Sequence, residues 1–125
     1  MLNTFILSFI LVTSVSAAEP TQDSERLRLQ DMLINMLTPY IEKDLQNYYY
    51  PNIFKDVLPV VAPWEIEVIE TRRVNGFRGF ILEITFEIEP TDGGHWVPIG
   101  KDRMTYEIPS GPEVKLVNHT HLKNI

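Results

Sequence analysis

The sequence predicts an α+β fold: a long bent N-terminal helix packed on a curved antiparallel sheet of about four strands. Three observations carry that expectation. Residues 24–50 set apolar side chains at helical spacing, residues 64–89 and 103–121 switch to a two-residue alternation, and Asn75-Gly76 stands between the first two alternating runs, where a hairpin would turn.

In the helical stretch the apolar positions are Leu29, Met32, Leu33, Met36, Leu37, Tyr40, Ile41, Leu45 and Tyr48, in steps of three and four. Asp23 or Ser24 can cap the first amides, and Glu25 lies where the helix dipole favours negative charge. Pro39 has no amide hydrogen to offer the Asn35 carbonyl, so the helix should kink or divide near Thr38. Consecutive tyrosines on a helix point about 100° apart, so Tyr48, Tyr49 and Tyr50 cannot form one stacking platform. Tyr48 is expected in the core, with Tyr49 and Tyr50 at its boundary. Ile53, Phe54 and Leu58 then predict a short helical turn, and Pro59 and Pro63 an extended approach to the sheet.

Strand signals begin at Trp64, where Trp64, Ile66 and Val68 alternate with Glu65, Glu67 and Ile69. The second run sets Phe80, Leu82, Ile84, Phe86 and Ile88 against Ile81, Glu83, Thr85, Glu87 and Glu89. After a break at residues 90–94, alternation returns from Arg103 to Ile108, and Ser110 to Pro112 turns the chain again. Residues 114–121 form the last strand, with Val114 and Leu116 on one face and Val117, His119 and His121 on the other. A single sheet wrapping one helix is, by analogy of fold, closest to the cystatin-like and nuclear transport factor 2-like cone.

The first 18 residues run from an apolar core at Phe5–Val12 into small residues at Val15, Ser16, Ala17 and Ala18, the layout of a secretory signal cleaved after Ala17 or Ala18. An uncleaved anchor is the alternative, and only it would hold the protein at a membrane. Residues 19–125 then form a single domain. No cysteine occurs, which excludes disulfides, thiol catalysis and zinc–thiolate sites. A net charge of −6 spread over 17 acidic and 11 basic residues argues against nucleic acid and anionic lipid as partners, since both need a basic surface to neutralise phosphate.

One stretch gathers residue types that packing does not require: Gly93 to Tyr106, GGHWVPIGKDRMTY. His95 and Asp102 of this stretch, with His119 and His121 of the last strand, are the candidate reactive set. As metal ligands they need the strands to converge, and His119 and His121, two apart on a strand, would share a face. As an acid–base site they would supply a histidine oriented by a carboxylate, but no serine stands in a nucleophile-elbow context. Without chemistry, Gly93, Gly94 and Gly100 serve a looping connection, Asp102 accepts backbone amides in a turn, and His95 and Trp96 remain as candidate ligand-binding residues. Glu65/Glu67 and Glu87/Glu89 resemble paired glycosidase carboxylates, but on alternating strands they read as a solvent face.

The helix segment LRLQDMLINMLTPYI with its internal Pro39, the tyrosine run after it, APWEIEVIE, GGHWVPIGKDRMTYEI and VKLVNHTH together resemble the small exported proteins of spore-forming Gram-positive bacteria grouped as domain of unknown function 3888. Gly94-His95, Gly100-Lys101-Asp102 and Thr105-Tyr106 stand at that family's central steps, and His119 or His121 at its late histidine. The resemblance implies export and a one-domain fold, and no activity. The expected function is that of an exported noncatalytic domain of the cell envelope or exterior, binding an unidentified protein or small ligand without a cofactor. The alternative is a metal-dependent or acid–base hydrolase built on His95, Asp102 and His119 or His121.

Overall fold

A computed structural model of the chain describes residues 22–50, 53, 58–93, 96–111 and 113–125. Among them the element order is a helix, α1 (Glu25–Tyr49), a short 3-10 turn at Pro63–Glu65, and four strands: β1 (Ile66–Arg73), β2 (Leu82–Ile88), β3 (Gly100–Ile108) and β4 (Lys115–Asn124). The strands pair antiparallel in the order β1-β2-β3-β4. The α+β class read from the sequence is therefore the class observed.

Ser24 caps α1: its Oγ accepts the Leu27 amide at 3.1 Å, and its carbonyl accepts the Arg28 amide. The helix runs unbroken through Pro39 rather than dividing in two. Just before the proline, the Thr38 hydroxyl donates back to the Ile34 carbonyl at 2.7 Å, a local bond that helices tolerate where the regular ladder is weakened.

The buried stripe of α1 is Ile34, Leu37, Ile41, Leu45 and Tyr49. This corrects the sequence reading by about one residue of rotation. Leu29, Met32, Met36, Tyr40 and Tyr48 are exposed, and Tyr49, expected at the boundary, is fully buried. Both stripes satisfy helical spacing, and the sheet selects the one whose residues step by four from Leu37 to Tyr49.

Against that stripe the sheet turns Ile66, Ile84, Phe86, Ile88, Met104 and Tyr106. Hydrogen bonds fix helix to sheet and to the connecting segment: Tyr106 Oη donates to Asp44 Oδ2 at 2.7 Å, the Val61 amide to Glu42 Oε2 at 3.0 Å, and Gln46 Nε2 to the Pro59 carbonyl at 3.1 Å. Burial first, and the Asp44 carboxylate second, push the Tyr106 hydroxyl pKa upward, so it stays a donor. The outer face of the sheet carries the expected polar ladder. Glu87 is bound by Arg103 and lies 3.6 Å from Lys101, and Thr85 bonds Thr105 at 2.8 Å. Hydrogen bonding to Arg103, which outweighs a smaller burial effect, holds the Glu87 carboxyl below its usual range.

Strand bounds differ from the alternation in each strand region, and β4 spans Lys115–Asn124 where the alternation spans residues 114–121. Trp64 belongs to the 3-10 turn, not to β1, because Pro63 follows an extended Ala62 and starts a new turn. The hairpin after β1 is wider than two residues: the Val74 amide bonds the Ile81 carbonyl, and Gly76 and Arg78 both take positive φ. Phe80 consequently lies outside β2 and is exposed. β3 starts at Gly100, three residues before the alternation becomes visible, because its first inward positions are Gly100 and Asp102 instead of apolar residues.

Ile41→Ala should cost about 2–5 kcal/mol in urea unfolding, whereas Met36→Ala should stay within about 0.5 kcal/mol. Equal losses at the two positions would restore the stripe read from the sequence.

Candidate functional site

Two groupings of side chains stand apart from the apolar core. The first is built around Asp102, on the inward face of β3 and completely buried. Its Oδ1 accepts His119 Nε2 at 2.8 Å and His121 Nδ1 at 3.0 Å, and its Oδ2 accepts the Tyr49 hydroxyl at 2.5 Å. Asn124 Oδ1 lies 2.7 Å from His121 Nε2. The Tyr48 ring lies over His119 with centroids 4.4 Å apart, and over His121 at 5.5 Å. No buried side-chain nitrogen or oxygen among the described residues lacks a hydrogen-bond partner.

Backbone irregularity in β4 makes this convergence possible. Opposite β3, Tyr106 faces Leu116, Met104 faces His119, Asp102 faces His121 and Gly100 faces Asn124. Val117 and Leu122 are the extra residues at two bulges, so the inward positions are Leu116, His119, His121 and Asn124. Strict alternation had put Leu116 and the histidines on opposite faces; the bulge at Val117 brings them to one. Gly100 is needed at its place because a Cβ there would overlap the Tyr49 hydroxyl.

The electrostatics are those of a buried anion surrounded by donors. Burial pushes the Asp102 carboxyl up, but hydrogen bonds from His119, Tyr49 and His121, with the His119 charge, outweigh it and hold it below the ordinary value. Desolvation pulls His121 down, and its bonds to Asp102 and Asn124, with the Asp102 charge, more than offset this and raise it. Its ring lies between two oxygen acceptors, the arrangement that suits an imidazolium donating from both nitrogens. Burial and then Asp102 drive the Tyr49 pKa upward, which keeps its hydroxyl protonated.

The second grouping is aromatic. Trp96 is exposed, holds a positive φ of 57°, and lies against Trp64 with ring centroids 6.1 Å apart and planes at 40°. Trp64 in turn lines a groove of about 260 Å³ with Asp31, Ile34, Asn35 and Pro63. The connection carrying Trp96 is pinned at its base: Thr91 bridges Val60 and Pro98, the Ile99 amide bonds the Pro90 carbonyl, and the Asp92 amide bonds the Val97 carbonyl at 3.1 Å. Gly93, at a positive φ of 78°, makes the turn within it.

The candidates from the sequence therefore divide. Asp102, His119 and His121 come together; Trp96 joins a different grouping; His95 and Gly94 lie outside the described residues. Asp102 is not the acceptor of a turn, as its place after Gly93, Gly94 and Gly100 had implied, but the inward residue of a strand. Three side chains were missed. Tyr49 was legible as the end of the series Leu37, Ile41, Leu45; Trp64 was absorbed into a strand; Asn124 had no sequence signal. Among the described residues no group of three His, Cys, Asp or Glu is placed to hold a metal ion. In the Asp102 grouping both histidines aim at one carboxylate oxygen.

A family model, Protein of unknown function (DUF3888), matches residues 29–123. The chain belongs to that family. No curated protein and no solved structure matches it. Every residue of both groupings except Asn124 falls within the DUF3888 match, so both groupings sit in the part of the chain that the family shares.

The pKa directions fix how the Asp102 grouping contributes to stability. Asp102 is lowered, so its contribution is present above its ordinary 3.8 and is lost as pH falls through the folded value. His121 is raised, so its contribution is complete below 6.5 and is lost as pH rises through the folded value. Thermal stability should therefore be highest between these two values and decline as pH rises above 6.5 through the folded value of His121, and His121→Gln should flatten the alkaline decline. Asp102→Asn, which sets an amide against three donors, should cost about 2–4 kcal/mol by chemical denaturation.

Proposed function

We propose that this DUF3888 protein is an exported, noncatalytic binding domain of the cell envelope or exterior that holds a protein segment or small ligand against the Trp64–Trp96 pair. The observation that carries this reading is Trp96: a bulky residue in the left-handed region, mostly exposed, with its ring laid on a second exposed tryptophan. Positive φ is costly for such a residue and exposure of both indoles forgoes burial, so neither is explained by packing. The adjoining groove adds an apolar floor from Ile34 and Pro63 and polar groups from Asp31 and Asn35, the mixture that orients a ligand. His95, next to Trp96 in sequence, remains a candidate contact.

The hydrolase reading draws less support. Asp102 and His121 spend their polar atoms within the grouping, on each other and on Tyr49, His119 and Asn124, and Asp102 has no exposed surface from which to meet a substrate.

The two tryptophans of the chain are both in this site, so intrinsic fluorescence reports on it without interference. Titration with a soluble digest of Gram-positive cell wall, containing peptide and glycan fragments, should shift the emission, and Trp64→Ala or Trp96→Ala should weaken binding at least about tenfold. Emission unmoved by every fraction, or binding indifferent to both substitutions, would rule the site out. Export is tested separately: N-terminal sequencing of the protein recovered outside the cytoplasm should begin at Ala18 or Glu19, and a chain still starting at Met1 would point to the uncleaved anchor.

A further inference from the structure

The β1–β2 hairpin carries a surface that neither grouping uses. Its tip runs from Val74 to Ile81, and there Phe77 is 94% exposed and Phe80 61% exposed, with Val74 also open to solvent. Between residues 71 and 82 the chain has three arginines and no aspartate or glutamate, in a protein whose net charge is −6. The guanidinium of Arg78 lies 5.3 Å from the centre of the Phe80 ring, and Arg78 reaches this place from a positive φ of 61°. Arg73 donates to the Gly79 carbonyl at 2.7 Å and Arg72 is spent on Glu83 at 3.0 Å, so Arg73 and Arg78 carry the positive charge of the tip.

Apolar rings at the end of a rigid hairpin, with cations set behind them, match the boundary of an anionic bilayer. There the rings enter the acyl region and the guanidiniums meet lipid phosphate. We propose that this hairpin docks the protein on an anionic membrane surface by inserting Phe77 and Phe80, with Arg73 and Arg78 at the headgroups. The overall acidity of the chain is no obstacle. Charge acts locally over a Debye length of about 8–10 Å, and the tip is the segment where the local sign is reversed. An acidic protein surface would satisfy the arginines but offers no reason for two phenylalanines to stand in water.

The absence of cysteine allows a reading confined to the tip. Asn75→Cys in the full chain, labelled with a polarity-sensitive fluorophore, is mixed with vesicles of phosphatidylglycerol and phosphatidylcholine or of phosphatidylcholine alone. On the anionic vesicles the emission should rise, and it should be quenched by a lipid-borne quencher. Phe77→Ser with Phe80→Ser should weaken that response at least about tenfold, and Arg78→Gln and added salt should weaken it in part. Both phenylalanines are exposed, so circular dichroism and melting temperature should not change in the double variant. The proposal is overturned by no fluorophore response on anionic vesicles, by an equal response on neutral ones, or by a response indifferent to the two serines. It is equally overturned if the label responds to protein concentration in the absence of vesicles, which would make the tip a self-association surface. The N-terminal segment is common to all variants, so binding through it would be indifferent to the two serines.

Discussion

The structure depends on how a single buried carboxylate is satisfied. Asp102 has no contact with solvent, and a carboxylate in that position costs several kcal/mol unless donors replace its water. Three donors do so, and they come from distant parts of the chain: Tyr49 from the end of α1, His119 and His121 from β4. The last turn of the helix, the third strand and the C-terminal strand are thereby held to one point. Hydrophobic burial alone would let α1 slide along its apolar stripe; the Tyr49 bond to Asp102 and the Tyr106 bond to Asp44 select one register.

That requirement propagates into backbone geometry. For Leu116 and both histidines to face inward together, β4 must depart from its two-residue period, and it does so at Val117. For the Tyr49 hydroxyl to reach it, β3 must begin with a residue lacking a Cβ, which Gly100 supplies. A chain without disulfides, with a core of about a dozen apolar residues, gains from such a polar lock a specificity that apolar contacts do not provide.

The fold was legible because its elements have strong periodicity: α1 lies within one residue of the expected span, and β2 shows its apolar face without interruption. The rotation of α1 was not legible, since Met32, Met36 and Tyr40 compete with Ile34 and Tyr49 on hydrophobicity and only the opposing sheet decides between them. The Asp102 grouping was half legible. The spacing of His119 and His121 put them on one face, but the partner that brings them together stood where alternation predicts an apolar residue, and a bulge cannot be read from a run such as Lys115-Leu116-Val117-Asn118. Trp64 illustrates the opposite error: an aromatic residue at the right parity was assigned to a strand that starts two residues later.

Residues that break a local rule fall here into two kinds, and the difference separates scaffold from surface. Asp102 breaks the rule that cores are apolar, yet its violation is repaired within the chain by Tyr49, His119 and His121. Trp64, Trp96, Phe77 and Phe80 break the rule that large apolar rings are buried, and for them the chain supplies only partial cover, a ring against a ring or a guanidinium over a face. A repaired violation accounts for itself through stability. An unrepaired one leaves apolar area whose burial must come from outside the molecule, and in this protein both unrepaired sets stand on connections between strands or before them, where an outside surface can reach them.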